Sequence, residues 1–208
     1  MREQPPARTR QSVRWLARGR RALPVIVGLI VSTLAPHAQE AQSTAPRIPP
    51  LESSPAGINI TKTLAHHPTL AEAWTTFAGY VLRDSTLPPR DRELLILRTG
   101  YLCGAEYEWG QHSRIARRVG LSDEEIVRVT KGPEDVGWST FDRALLRAVD
   151  ELHRDAYISD RSWAELDARY DTKQLMDVVF TVGQYNLVSM ALKTFRVPMD
   201  EGIEGFPQ

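Results

Sequence analysis

The chain has 208 residues, 42% apolar and 25% charged, enough for one ordinary buried core with some extra chain. Its 26 basic and 26 acidic residues balance. No basic tract of the kind that follows a phosphate backbone occurs beyond the leader, which argues against a nucleic-acid partner. Cys103 is the only cysteine, which excludes an internal disulfide and any mechanism needing two thiols in one subunit.

Residues 1–41 carry seven arginines, and the fourteen residues "ALPVIVGLIVSTLA" that follow Arg21 hold no charge. This is the pattern of an export signal, with cleavage near the small residues Ala35, Ala38 and Ala41. The apolar run is shorter than the roughly 17–25 residues of a membrane-spanning helix, although an uncleaved membrane anchor is the alternative. Arg20-Arg21 also resembles a twin-arginine signal. Without residues 1–41, which contain seven basic and two acidic residues, 19 basic and 24 acidic residues remain, so the mature protein is mildly acidic and periplasmic or secreted. With the leader removed, no stable membrane association is expected.

The Pro-, Ser- and Ala-rich residues 42–57 predict a mobile linker or an arm lying on a neighbour. From residue 58 to the end the signals are helical, and six to seven helices are expected in an all-α domain. Pro68 opens the first, to about Arg83. Pro89 opens the second, with Asp91 and Glu93 in a first turn that suits acidic side chains. In "RELLILRTGYLCG" the apolar residues surround the helical wheel, which predicts a buried helix, with a short strand as the competing reading. Gly104 marks a break. Ser122 and Glu125 have capping-box spacing. Amphipathic segments follow around Phe141–Leu152, from Ser159 or Asp160, and from Thr172 to Thr194, before Pro198 ends the ordered part.

"GAEYEWGQH", residues 104–112, carries the chemistry. On a helix advancing about 100° per residue, Glu108 and His112 lie one turn apart inside the apolar arc with Trp109, Ile115 and Ala116, while Glu106 and Gln111 lie outside it. A core-facing carboxylate needs a partner, and His112 is within reach. The pair could simply satisfy itself as a buried structural contact. If the two helices form a hairpin about Gly104, however, Glu93 reaches the same place, giving two carboxylates and an imidazole suited to proton transfer. A metal on these three residues lacks a further ligand at recognisable spacing. Arg98 could hold a substrate carboxylate or an acid at the core edge. Trp109 and Tyr185 could line a pocket or serve only in packing.

The run "RDRELLILRTGYLCGAEYEWGQHSRIARRVGLSDEEI", with "HHPTLAEAWTTFAGYVL" and "GQYNLVSMALKTFRVPMDEG", resembles the carboxymuconolactone decarboxylase-like family, which includes the alkylhydroperoxidase D-type proteins. Setting His112 on the histidine of the peroxidase branch puts Ala105 and Glu108 where that branch has its Cys-x-x-Cys cysteines, and Glu93 on its glutamate. The dithiol mechanism is therefore absent, and "YEWxxH" is similar to the decarboxylase branch. The resemblance implies a homo-oligomer, trimer or hexamer, and a small-molecule substrate with no organic cofactor. It implies acid/base chemistry by Glu93, Glu108 and His112 on a carboxylated lactone or keto acid, with proton delivery by His112. A non-catalytic binding or accessory protein of the envelope, and a peroxidase-type member by fold alone, are the alternatives. Aromatic-acid breakdown of this type is cytoplasmic, so an exported copy implies a different substrate.

Overall fold

The structure is a computed structural model that describes residues 44–55 and 57–207; the leader reading falls outside these residues. Among them are eight α-helices and no strand: α1 (Asn59–Leu64), α2 (Pro68–Gly79), α3 (Pro89–Leu102), α4 (Glu106–Arg118), α5 (Asp123–Lys131), α6 (Thr140–Asp155), α7 (Asp160–Asp167) and α8 (Thr172–Phe195). The helix expected to run from Pro68 to Arg83 closes instead with a π-helical turn, Tyr80–Asp84. Asp177 of α8 gathers the chain after that turn, accepting from Tyr80 Oη at 2.8 Å and from the Thr86 amide and hydroxyl at 2.7 Å each. The six-residue α1 has no side-chain cap and no sequence signal long enough to announce it.

The centre of the fold is α3, whose residues 91–100 are all buried and which contacts α4, α5, α6 and α8. Each step of about 100° sends the next side chain into a different part of the core. Leu95 joins Leu145, Val149 and Val178; Leu94 and Leu97 join Trp109, Val129 and Trp138; Ile96 joins Tyr107, Tyr185 and Val188. An apolar run with no polar face is thereby explained as a helix surrounded on every side, and the strand alternative falls.

Local signals set the helix ends. Ser122 and Glu125 form the expected capping box at α5, and Asp171 with Gln174 forms another at α8. Gly104 adopts φ +60°, a left-handed conformation that turns the chain between α3 and α4. Gly100 lies under the start of α4, where a Cβ would be in van der Waals contact with Glu108 Cβ and the Trp109 amide. That close crossing brings Glu93 and His112 together.

Two expectations about the ends of the domain are corrected. The 42–57 segment is not a free linker where it is described: the Arg47 amide donates to Phe195 O at 2.8 Å and His66 Nε2 lies 2.9 Å from Pro49 O, which ties it to its own helices. Nor does order end at Pro198. The tail after α8 crosses α4, where Asp200 accepts from Gln111 Nε2 at 2.6 Å, from the Asn59 amide at 2.9 Å and from the Tyr107 hydroxyl. Gly110 permits this passage, because a Cβ there would collide with Glu204 O and Ile203 Cγ2. Gln111, placed outside the buried arc by the wheel, is half-buried because the tail covers it.

Candidate active site

The α3–α4 hairpin places Glu93, His112 and Glu108 in one line. Glu93 is 0% exposed, His112 5% and Glu108 6%. His112 Nδ1 lies 2.6 Å from Glu93 Oε2, and Nε2 lies 3.0 Å from Glu108 Oε1. A carboxylate only accepts, so a ring holding one on each nitrogen donates from both and is the imidazolium. Burial opposes that charge, but the Glu93 charge, hydrogen bonds to Glu108 and Glu93, and the Glu108 charge outweigh it and push the ring's pKa to about 9. Arg92, overlooked at the sequence level, donates through Nε to Glu93 Oε1 at 3.3 Å. Two cations and two anions then balance in a nearly dry place, which removes the cost of an uncompensated buried charge.

His112 stabilises the fold in a pH-dependent way. Its pKa in the fold, about 9, lies above the ordinary 6.5, so its contribution is complete below about pH 6.5 and is lost as the pH rises through about 9. Urea unfolding at pH 6, 7.5 and 9 is expected to show stability falling across that window. The His112→Gln variant is expected to lose that part of the slope, and an unchanged slope would contradict the charged ring.

One side of the line opens on a cavity of about 150 Å³ between α2, α4 and α8. Tyr107, Glu108, Gln111, His112, Gln184 and Tyr185 supply its polar edge, and Ile58, Ile60, Trp74, Leu82, Ile115 and Val188 are among its apolar walls. Glu93 lies behind His112, away from this lining. The Tyr185 ring meets the His112 ring edge-on, with centroids 4.9 Å apart, and its hydroxyl has no hydrogen-bond partner among the described residues. Burial, then the charges of Glu108 and Glu93, raise the Tyr185 pKa well above its ordinary value, so the hydroxyl keeps its proton. Gln184 Oε1 is buried without a partner. Gln184 carries no distinguishing sequence pattern on α8; only the fold turns it toward the acid/base line.

Arg98 and Trp109 lie elsewhere. The Arg98 guanidinium is held by Asp150 at 2.7 and 2.9 Å and by the carbonyls of Val129 and Thr130, which fixes α3 to α5 and α6. It is a core-edge ion pair and leaves no free donor for the cavity. Trp109 points to the other flank of α4, against Tyr101 and Phe206. No lysine or arginine lines the cavity. Among the described residues no group of three His, Cys, Asp or Glu is arranged to hold a metal, because the imidazole separates the two carboxylates. The Cys103 thiol is outside the line as well, 3.3 Å from Asn186 Oδ1 and 3.8 Å from His153 Nδ1. Burial raises its pKa.

Fold and site together define an all-helical protein with a buried Glu–His–Glu line and a single cysteine outside it. Residues 68–151, which contain all three members of the line, match the carboxymuconolactone decarboxylase family. Solved structures of alkylhydroperoxidase D-like proteins share the fold. One is a putative antioxidant defence protein AhpD of unknown function from Agrobacterium tumefaciens, 23% identical, with TM-score 0.62 over 66% of this chain and 94% of that one. A peroxidase-related protein with an alkylhydroperoxidase AhpD core from Ralstonia eutropha JMP134 is 16% identical, with TM-score 0.63 over 69% and 77%. The debrominase Bmp8, solved in complex with 2,3,4-tribromopyrrole, is 15% identical, with TM-score 0.59 over 68% and 76%. The sequence has no match among curated proteins.

Proposed function

We propose that the protein is a cofactor-independent acid/base enzyme that moves a proton on a small, uncharged carbonyl compound such as a lactone or cyclic ketone. The observation that carries this reading is the occupancy of His112: both ring nitrogens hold carboxylates. The imidazolium is therefore not the group that meets substrate. Glu108, which lines the cavity and uses Oε1 for the ring, has Oε2 to take a proton from the carbon next to the carbonyl. The electron pair moves to the carbonyl oxygen, and the Tyr185 hydroxyl supplies a hydrogen bond to that developing enolate. Glu108 then returns the proton to carbon. His112, Glu93 and Arg92 hold the charge of Glu108 in place.

Cavity size and charge support the substrate class. A space of about 150 Å³ is of the size that holds a benzene-sized ring. A carboxylate in it would face Glu108 with no free cation to receive it, which disfavours the carboxylated lactone expected from sequence. Decarboxylation of such a lactone or of a keto acid is the second reading, favoured by the family match over the whole acid/base line. There the enolate left by loss of carbon dioxide takes a proton that Glu108 has first picked up from water. The single high-pKa thiol speaks against peroxidase chemistry, and the basic, apolar leader supports action outside the cytoplasm.

Proton exchange in D2O tests the proposal, with neutral lactones and cyclic ketones set beside their carboxylated counterparts and followed by NMR. Deuterium entering the neutral compounds next to the carbonyl, faster than in buffer, is the expected result. Release of carbon dioxide from the carboxylated set alone would favour the second reading. Inertness toward both sets would leave a binding protein.

A further inference from the structure

Most polar groups around the cavity are already engaged by the protein. The Tyr107 hydroxyl and Gln111 Nε2 are turned to Asp200 of the tail. Both nitrogens of His112 hold carboxylates, and one of these uses Glu108 Oε1. Gln184 is different. It is 4% exposed, its Oε1 is buried without a partner, and no hydrogen bond to its amide nitrogen occurs among the described residues. A buried carbonyl oxygen left unpaired is destabilising, and native folds keep few of them. A methionine would fill the same place on α8 without that loss. Packing alone therefore gives no reason for an amide at this position, next to Tyr185 on the cavity edge.

We propose that Gln184 determines specificity, and that the cavity takes a small neutral ring with an N–H beside its carbonyl, a lactam or cyclic imide. This narrows the substrate class and rests on the acid/base reading, which makes the cavity the substrate site. An amide oxygen only accepts, so its partner must bring an N–H or O–H. A primary amide offers one donor and one acceptor side by side. The edge that answers both is a cis amide, the form a small ring imposes, in which N–H and C=O point the same way. Two parallel hydrogen bonds then form, from the ring N–H to Gln184 Oε1 and from Gln184 Nε2 to the ring carbonyl. No bond of the fold holds the Gln184 amide, so it turns about Cγ–Cδ to meet the ring without losing one. The same carbonyl keeps a second lone pair for the Tyr185 hydroxyl, and the carbon beside it is left to Glu108 Oε2. Two donors on one oxygen suit the charge that develops there as the proton leaves. A lactone or cyclic ketone of equal size leaves Gln184 Oε1 unpaired.

Two other arrangements would also satisfy a ring N–H or the amide. Glu108 Oε2 is an acceptor, but a bond from the ring N–H would turn the carboxylate toward nitrogen and away from the carbon whose proton it takes. A water between Gln184 and the ring would serve the amide equally well for any ring, with or without an N–H. Neither gives the dependence on both ring and residue that direct pairing gives.

Binding to the full chain decides the matter without turnover. The probes are 2-pyrrolidinone, γ-butyrolactone and cyclopentanone, rings of equal size that set N–H, O or CH2 beside the carbonyl, titrated by NMR of the side-chain amides. In the native protein 2-pyrrolidinone is expected to bind about tenfold tighter than either other ring and to move the Gln184 amide signal. In Gln184→Met the three rings are expected to bind within about twofold of one another. The urea midpoint of that variant is expected to equal or exceed the native one, because the unpaired carbonyl is gone. Equal binding of the three rings by the native chain, as a bridging water would give, overturns the proposal, and this arm needs no variant. A preference for 2-pyrrolidinone that survives Gln184→Met overturns it too, by assigning the N–H to Glu108. A lower midpoint for Gln184→Met would give the amide a partner within the fold and count against it equally. Proton exchange in D2O is read separately: a preference that depends on Gln184 with no exchange of any ring removes the acid/base reading and leaves the ligand class standing.

Discussion

Glu108→Gln is expected to lower kcat about 100- to 10,000-fold on whichever neutral carbonyl compound exchanges, with a smaller loss of stability than Glu93→Ala. The substitution keeps the shape of the side chain, and an amide oxygen can still accept from His112 Nε2, now 3.0 Å from Glu108 Oε1. What disappears is the group that can take up a proton at the cavity. If the base were His112 and Glu108 only its orienting partner, the loss would be smaller and would come with a lowered pH optimum, because one of the influences that raise the His112 pKa would be gone. Single-turnover rates between pH 5 and 9 separate the two roles. Full activity in Glu108→Gln would remove Glu108 from the chemistry.

Glu93→Ala should give the largest loss of stability in the domain's polar core, about 3–5 kcal/mol. Glu93 is 0% exposed and is the partner of both Arg92 Nε, at 3.3 Å, and His112 Nδ1, at 2.6 Å. Without it a buried guanidinium loses a carboxylate and the imidazole loses the strongest influence that favours its charge. The ring is then expected to titrate well below 9, a change that NMR of the ring carbons follows directly. Because the native ring itself becomes neutral as the pH passes about 9, the gap between Glu93→Ala and the native protein is expected to narrow there. Glu93→Gln keeps hydrogen-bonding capacity and should lie between the two. Equal urea midpoints for Glu93→Ala and the native chain at pH 6 would mean that the line is not held by its charges.

The acid/base line was legible in the sequence because it depends on local rules. Helical periodicity put Glu108 and His112 on one buried face, and Gly104 implied the turn that brings Glu93 back to them. The capping boxes and the buried character of α3 follow from the same short-range physics. The roles of Arg98 and Trp109 were not legible. Whether a guanidinium is free depends on which carboxylate faces it, and Asp150 comes from a helix 52 residues away in sequence. The wheel places Trp109 on the buried side of α4 but cannot say which of two neighbours lies there; Tyr101 and the tail residue Phe206 occupy its side.

The sequence by itself determined the helical class, the loss of dithiol chemistry and the pairing of a glutamate with a histidine, because composition, a cysteine count and a 3.6-residue period need no knowledge of distant contacts. The tertiary structure alone decided which groups face the cavity. It put a carboxylate on each nitrogen of His112, turned Gln184 and Tyr185 toward the cavity, and left no lysine or arginine in its lining. Those outcomes depend on side chains from α2, α3, α4 and α8 converging on one small space. Convergence is a property of packing in three dimensions, to which spacing along the chain gives no access.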